Sequence, residues 1–105
     1  MDKRKPTYDL AAFKASMGDP NRLAMTVIAA RSAGALGFDR HTVAAAVRSV
    51  ERRHFVKSTT SFRDHRRWQD VYHLPWVIEG EELTIYLKFT ADAVTEFTIL
   101  SFKEK

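Results

Sequence analysis

The sequence predicts an α+β protein in which N-terminal helices pack on one face of an antiparallel sheet. Apolar residues recur at helical intervals through residues 10–50, whereas residues 70–103 alternate apolar and polar side chains. The chain has 105 residues, of which 45% are hydrophobic and 29% charged. These values are typical of one globular domain, so we expect a single domain over residues 1–105.

Two helices are predicted from apolar stripes that each follow a capping aspartate. The first helix follows Asp9 and ends at Gly18, and the second follows Asp39. The first stripe comprises Leu10, Phe13 and Met17. The second stripe comprises Val43, Ala46, Val47 and Val50. Three arginines lie off the second stripe and are expected to face water or a ligand: Arg40, Arg48 and Arg52.

The segment between these helices permits two interpretations. Asp19-Pro20 is able to open a helix, with proline at its first position. Alternatively, Leu23–Val27 is a short edge strand and the helix begins near its end. Gly34 and Gly37 terminate the helix in either version.

The second half of the chain predicts three antiparallel strands. Residues 82–90 read ELTIYLKFT, which alternates four apolar side chains on one face with Thr84, Tyr86, Lys88 and Thr90 on the other. The neighbouring strands are DVYHLPWVI and EFTILSFK, joined through residues 79–81 and 91–95. Pro75 lacks an N–H group, which predicts a sheet edge or a bulge at that position. With the helices on one face of the sheet, the other face stays open.

The polar stretch KSTTSFRDHRRWQDVY, residues 57–72, could fill little of a core. It overlaps a basic run offset only by Glu51 and Asp64. The run comprises Arg52, Arg53, Lys57, Arg63, Arg66 and Arg67, with His54 and His65 among them. One interpretation is a solvated helix end and loop with Trp68 in the core. The other is a surface for single-stranded RNA, whose bases would stack on Phe62, Trp68 and Tyr72.

Composition narrows the possible chemistry. The net charge of +4 is compatible with an acidic partner. The chain has no cysteine, its four histidines show no zinc-binding spacing, and its acids are scattered, so no metal or cofactor is expected. No apolar stretch is long enough to serve as a signal peptide or membrane span, which predicts a cytoplasmic protein.

The pair Asp64-His65 raises the alternative of a hydrolase, with Ser58 or Ser61 as nucleophile. Adjacent Asp and His side chains rarely orient each other, and the sequence has no nucleophile elbow. His65 is therefore interpreted as a loop or RNA-contacting residue, with a role as acid or base in RNA cleavage kept as a second possibility.

Several strings resemble the MqsR family of bacterial toxins: FVKSTTSFRDHRRWQDVYH, YLKFT, ILSFKEK, DKRKP and GFD. The resemblance runs over nearly the whole chain. It implies a RelE-like fold, with helices on a curved antiparallel sheet, and a sequence-selective messenger-RNA endoribonuclease that works without the ribosome. It also implies a partner, an MqsA-like antitoxin with a zinc-binding domain and a helix-turn-helix domain.

The resemblance carries over four catalytic residues, all retained in type: Lys57, Gln69, Tyr86 and Lys103. The residues expected to contact RNA are Arg63, His65, Arg66, Arg67, Trp68, Tyr72 and Lys88. The chain departs from the family at His73-Leu74-Pro75, where a more basic run is expected, and in a longer connection after Thr90. Both departures bear on sequence preference.

RNA supplies its own nucleophile, the 2′-hydroxyl group, so the protein needs only an acid, a base and groups that stabilise charge. Lys57 is expected to act as the base or as a charge stabiliser, because neighbouring cations lower the pKa of a lysine. Tyr86 or Lys103 would be the acid or its electrostatic aid, and Gln69 would hydrogen-bond a phosphate or a base. The alternative is a non-enzymatic nucleic-acid-binding regulator that uses the same basic face. An inactive member of the family is a third possibility.

Overall fold

The computed structural model describes residues 1–63, 65–92 and 96–105. The helices within these residues are α1 (Leu10–Met17), α2 (Val27–Ala35) and α3 (Arg40–Ser49), followed by a 3₁₀ turn at Arg52–His54. The strands are β1 (Asp2–Lys3), β2 (Phe55–Thr60), β3 (Trp68–Ile78), β4 (Glu81–Ala91) and β5 (Phe97–Glu104). They form one antiparallel sheet in the order β1-β2-β3-β4-β5. The predicted α+β class is confirmed.

Side-chain caps fix where the two predicted helices begin. The Asp9 carboxylate accepts hydrogen bonds from the backbone N–H groups of Ala11 and Ala12 at the start of α1. Asp39 accepts from the backbone N–H of Thr42, whose hydroxyl in turn accepts from the Asp39 N–H at 2.8 Å. This reciprocal capping box starts α3 at the predicted position.

In the region between these helices, the helix begins where the second interpretation places it. Helix α2 begins at Val27 and is capped by the Thr26 hydroxyl, so the alternative that opened it at Asp19-Pro20 is wrong. The predicted edge strand is reduced to a single parallel bridge between Met25 and Ile99 of β5.

Two arginines of α3 hold the loop that joins α1 to α2. Arg40 donates to the backbone carbonyls of Pro20 and Leu23, both at 2.7 Å, and Arg48 donates to the Gly18 carbonyl at 2.6 Å. Both side chains remain exposed, as predicted, but their guanidinium groups serve the loop rather than a ligand.

The hairpin between β3 and β4 confirms two sequence predictions. Its two-residue turn consists of Glu79 and Gly80, with φ angles of 50° and 81°, which is the positive-φ geometry that matches the twist of paired strands. Pro75 pairs only with Thr84 of β4, because the pairing of β2 with β3 ends at Tyr72. The second half of β3 is therefore a sheet edge. At such an edge the N–H group that Pro75 lacks is not needed for a hydrogen bond to a neighbouring strand.

The interpretation of residues 57–60 as part of a loop is wrong, since they belong to β2 and pair with residues 68–71 of β3. This strand is able to be polar because a polar side chain on its buried face makes a hydrogen bond instead of apolar contacts. Ser58 is fully buried, and its hydroxyl lies 2.7 Å from that of Thr7.

The core lies between the helices and one face of the sheet. Phe13 of α1 stacks on Phe89 of β4 with ring centroids 3.6 Å apart. A buried carboxylate ties the segment before α1 to the same face: Asp70 of β3 is 0% exposed and accepts from the N–H groups of Thr7 and Tyr8 at 2.9–3.1 Å. This contact fixes the position of α1 on the sheet.

We predict that Asp70→Ala lowers the free energy of unfolding by roughly 2–4 kcal/mol, because buried donors left without an acceptor are each destabilising by about 1–3 kcal/mol. Urea unfolding followed by circular dichroism measures the change. Asp19→Ala is the matched control, because the Asp19 carboxylate accepts only within an exposed turn, from Asn21. Equal losses for the two variants would contradict the anchoring role of Asp70.

Candidate functional site

The face of the sheet opposite the helices carries the polar side chains of β4. Ile85, Leu87 and Phe89 are each 0% exposed and point into the core. Because side chains alternate along a strand, Tyr86 and Lys88 point to the other face, where both are half-buried.

Two β-bulges bring lysines from the neighbouring strands to the same face. In β2 the register shifts between Phe55, paired with buried Tyr72, and Lys57, paired with Val71, which leaves Val56 as the extra residue. In β5 the pairs Ile99–Phe89 and Ser101–Lys88 leave Leu100 as the extra residue. Each bulge reverses the alternation of its strand, so residues two apart point to opposite faces.

The resulting surface is called the open face below. It comprises Lys57, Gln69, Val71, His73, Tyr86, Lys88, Ser101 and Lys103. One row across β2–β5 runs Lys57, Val71, Lys88 and Ser101. The adjacent row across β3–β5 runs His73, Tyr86 and Lys103. Val71 is 1% exposed, although it points away from the helices, so it forms the floor between Lys57 and Lys88.

The lysines of the open face are close enough to influence one another. Burial lowers the pKa of Lys88 below its ordinary value, and the positive charges of Lys103 and Lys57 lower it further. The Lys57 ammonium lies 3.5 Å from the Asp2 carboxylate, which is an exposed pair and therefore a weak one. The open face thus carries three lysines, and one of them is paired with a carboxylate.

A histidine and a tyrosine lie beside these cations. The ring centroids of His73 and Tyr86 are 5.7 Å apart, and the Lys103 ammonium lies 5.4 Å from the Tyr86 centroid. Burial lowers the pKa of His73, with further lowering by the charges of Lys105 and Lys57. The neutral imidazole is therefore favoured at neutral pH.

The described loop residues 61–63 and 65–67 lie between β2 and β3, next to the end of the open face that carries Gln69. The Phe62 ring is 98% exposed. Phe62 and His65 line a shallow pocket together with Asp2 and Thr59, of which Thr59 pairs with Gln69 of the open face. Arg67 forms an ion pair with Asp92 after β4. These residues place an exposed ring and basic side chains near Thr59, at the Gln69 end of the open face.

Comparison with known proteins identifies the family. The profile of a family described as "Motility quorum-sensing regulator, toxin of MqsA" matches residues 5–104. The chain belongs to the MqsR toxin family. It is 33% identical over 105 residues, covering 100% of both chains, to a protein of Escherichia coli (strain K12) named "mRNA interferase toxin MqsR".

Two further findings concern the described part of this MqsR-family chain. None of its helices combines the length and the apolar character that crossing a membrane requires. No cluster of three or more His, Cys, Asp or Glu side chains suited to a metal ion occurs there either.

The structure brings five of the predicted site residues together on the open face: Lys57, Gln69, Tyr86, Lys88 and Lys103. Three others are exposed on the neighbouring loop: Arg63, His65 and Arg66. Arg67 is exposed at the end of the same loop, paired with Asp92. Asp64, which belongs to the Asp64-His65 pair of the hydrolase alternative, lies outside the described residues. The chemical roles of all these residues stay predictions.

Two predicted RNA-contacting residues lie elsewhere. Tyr72 is 0% exposed and stacks on Phe89 in the core, so its prediction is wrong. Burial raises the pKa of its hydroxyl to about 12. Trp68 is paired with Thr60 and lies on the helix side of β3, with the Lys3 ammonium 4.2 Å from its ring centroid. It therefore does not join Gln69 on the open face, because neighbouring residues of a strand face opposite ways.

Sequence reasoning missed His73 and Ser101 as members of the site. The signal for His73 was present, because Gln69 and His73 are four residues apart in one strand and so share a face. Ser101 had no such signal, since simple alternation from buried Phe97 and Ile99 places it in the core. Only the bulge at Leu100 turns it outward.

We predict that Lys57→Met raises the pKa of His73, because removal of a positive charge favours the protonated imidazole. The measurement is an NMR titration of the histidine ring signals. Lys14→Met is the matched control, since Lys14 lowers the pKa of His54 and is not among the charges that act on His73. A Lys57→Met variant that leaves the His73 titration unchanged would contradict the shared face.

Proposed function

We propose that this chain is the toxin of a toxin–antitoxin pair and cleaves messenger RNA as a sequence-selective endoribonuclease, without the ribosome. The observation that carries the proposal is the open face itself, which gathers three lysines, a tyrosine, a glutamine and a histidine on adjacent strands. The relative in Escherichia coli, named an mRNA interferase toxin, supports the choice of substrate. A messenger-RNA substrate places the proposed activity in the cytoplasm.

The spacing of the cations suits a phosphate chain. Lys57 and Lys88 lie two strands apart in one row, about 10 Å at the usual separation of strands. Lys103 pairs with Tyr86, one row further along the sheet. Positive charge along a path, rather than at one point, is what binds a nucleic-acid backbone.

The reaction we propose uses the 2′-hydroxyl of the substrate as nucleophile. Its oxygen attacks the adjacent phosphorus and loses its proton to a base, while the bond from phosphorus to the 5′-oxygen breaks and that oxygen gains a proton. The products are a 2′,3′-cyclic phosphate and a 5′-hydroxyl. Charge that accumulates on the phosphate oxygens would be stabilised by Lys57, Lys88 and Lys103, which are cations held in place before the substrate arrives.

Tyr86 and Gln69 supply the hydrogen-bonding groups of this scheme. A phenol is protonated at neutral pH and is able to donate a proton to the leaving oxygen. The Lys103 ammonium near the Tyr86 ring would stabilise the negative charge that develops as this proton leaves. The Gln69 amide both donates and accepts, which suits a phosphate oxygen or the edge of a base.

We assign substrate selection to the loop residues 61–63 and 65–67. The exposed Phe62 ring offers a stacking surface for one base, and stacking is worth about 1–3 kcal/mol per base. Arg63, His65 and Arg66 would contact the backbone on either side. We therefore assign sequence preference to the loop and cleavage to the strands.

We predict that cleavage needs no divalent metal ion, because the charges that line the open face are ammonium groups. A fluorescent RNA of mixed sequence should be cut at an unchanged rate in excess EDTA, and mass spectrometry should find 2′,3′-cyclic phosphates. The same oligonucleotide with 2′-methoxy groups should bind and stay intact. Products with 5′-phosphates, or activity that magnesium restores after chelation, would contradict this chemistry.

The same assay separates an enzyme from a non-enzymatic binder. Lys57→Ala should slow cleavage by roughly 100- to 1,000-fold, as loss of one stabilising group does, while the dissociation constant for the 2′-methoxy oligonucleotide rises much less. Arg31→Ala on exposed α2 is the matched control for loss of one positive charge. Binding without cleavage by the unmodified protein would favour the regulator or the inactive toxin.

We further propose an MqsA-like antitoxin, with zinc-binding and helix-turn-helix domains, as the protein partner. The matched family is described as the toxin of MqsA. The basic open face favours a partner that is acidic or neutral where it docks, because opposite charges accelerate association.

We predict that the neighbouring gene encodes this partner and that its co-expression relieves growth arrest caused by the toxin. A tagged Lys57→Ala, Tyr86→Phe double variant should itself allow growth, and after nuclease treatment it should recover the small protein. The association rate should fall as salt is added, since salt screens the charges. Growth arrest by the double variant, or recovery of RNA alone, would contradict the proposal.

A further inference from the structure

Of the four histidines in the chain, all within the described residues, His73 alone points onto the open face. His41 is exposed on α3, His54 lies in the 3₁₀ turn, and His65 is exposed in the loop between β2 and β3. The His54 Nδ1 atom already accepts a hydrogen bond from the Glu51 N–H at 2.9 Å. His73 is therefore the histidine whose position relates it to the lysines and the tyrosine.

His73 is held in place by the sheet on which it lies. It sits in the centre of β3 and pairs with Tyr86, which pairs in turn with Lys103. Val71 lies two residues from His73 along β3 and forms the buried floor between Lys57 and Lys88. A side chain on a paired strand is better oriented for chemistry than one on a loop.

We propose that His73 is the general base of the cleavage reaction, accepting the proton of the 2′-hydroxyl while Tyr86 protonates the 5′-oxygen. This inference rests on the proposed ribonuclease function and adds a residue to it. It also changes the division of roles, because Lys57 is left as a cation that stabilises the phosphate. The proton balance closes: one proton moves from the 2′-oxygen to the imidazole, and one moves from the phenol to the leaving oxygen.

The surroundings of His73 favour this role. The charged and titratable groups that share its face or lower its pKa are Lys57 from β2, Tyr86 and Lys88 from β4, Lys103 from β5, and Lys105, which follows β5. Burial and the positive charges of Lys105 and Lys57 lower the pKa of His73, and the carboxylate of Asp2 is paired with Lys57. A base must be neutral before it accepts a proton, and cations around an imidazole keep it neutral, whereas a carboxylate would hold the proton on it.

The pairing of an imidazole with a phenol also suits acid–base catalysis by two groups of different acidity. The base takes a proton most readily when it is neutral, and the acid gives one only when it is protonated. The lowered pKa of His73 favours the first condition, and the phenol of Tyr86 carries the O–H group that the second requires. Their ring centroids lie 5.7 Å apart, so the two side chains are close enough to act on the same phosphate group.

The first experiment compares cleavage by the wild-type protein, His73→Gln and His41→Gln. Glutamine retains hydrogen bonding but does not accept a proton, so His73→Gln should lower kcat by about 100- to 10,000-fold. Affinity for the uncleavable 2′-methoxy RNA should stay within a few-fold, and the midpoint of urea unfolding should confirm the fold. His41→Gln should cleave as the wild type does.

The pH dependence gives a readout that a structural role would not move. In the wild type, kcat/KM should rise with pH until His73 is neutral, and that rise should be centred below the ordinary pKa of histidine. The residual activity of His73→Gln should lack this rise. A variant that keeps the wild-type rate and the same rise would overturn the assignment.

A modified substrate separates the base from the acid. When the 5′-oxygen at the cut is replaced by sulfur, the leaving group needs no proton. Tyr86→Phe should then recover much of its lost rate, whereas His73→Gln should stay slow. Recovery by His73→Gln would make His73 the acid and overturn the proposal. A wild-type protein that cuts neither substrate would instead overturn the ribonuclease function itself, and the role of His73 with it.

Discussion

The open face depends on two single-residue bulges, at Val56 in β2 and at Leu100 in β5. In a regular strand Lys57 would share a face with Phe55, and Ser101 would share one with Ile99, which is buried beneath the helices. The bulge between each pair lets the strand give an apolar residue to the core and then a polar one to the opposite surface. The bulge in β5 is also where α2 docks, because the Thr26 hydroxyl donates to the Leu100 carbonyl at 3.4 Å. The placement of the outer cations is thus coupled to the packing of the helices.

This coupling explains how so small a protein keeps several lysines together without losing the sheet that carries them. The repulsion between cations on the open face is opposed by the packing of the same strands on their other side, where Phe89, Leu87 and Phe102 are fully buried. Asp70 adds a buried anchor in β3, one residue from both Gln69 and Val71. Because adjacent residues in a strand face opposite ways, an anchored Asp70 also fixes the outward direction of its two neighbours.

The predictable parts of this fold are those where local signals agree. The caps at Asp9 and Asp39, the alternation in β4 and the turn at Glu79-Gly80 are each readable from a few adjacent residues. Strand β2 could not be predicted from the sequence. Its buried residue Ser58 is polar and hydrogen-bonds to Thr7, so the strand lacks the apolar alternation by which a half-buried strand is identified. Tyr72 was misassigned for the opposite reason: an amphipathic ring in a polar segment resembles a surface residue until the pairing of its strand is known. The bulges are likewise invisible, since they arise from the pairing of distant strands.

In the proposed reaction, the positive charge on the open face would serve binding and proton transfer in different ways. A phosphate chain needs cations at intervals, and an imidazole base needs to be kept neutral. Lys57 would meet both needs, since it lies in the row proposed for the phosphate chain and lowers the pKa of His73. A bound phosphate would partly cancel that effect, because its negative charge favours the protonated imidazole. The imidazole should therefore hold a proton more readily once the substrate is bound than before. That change assists the proposed reaction, in which the base must acquire a proton as negative charge builds on the phosphate beside it.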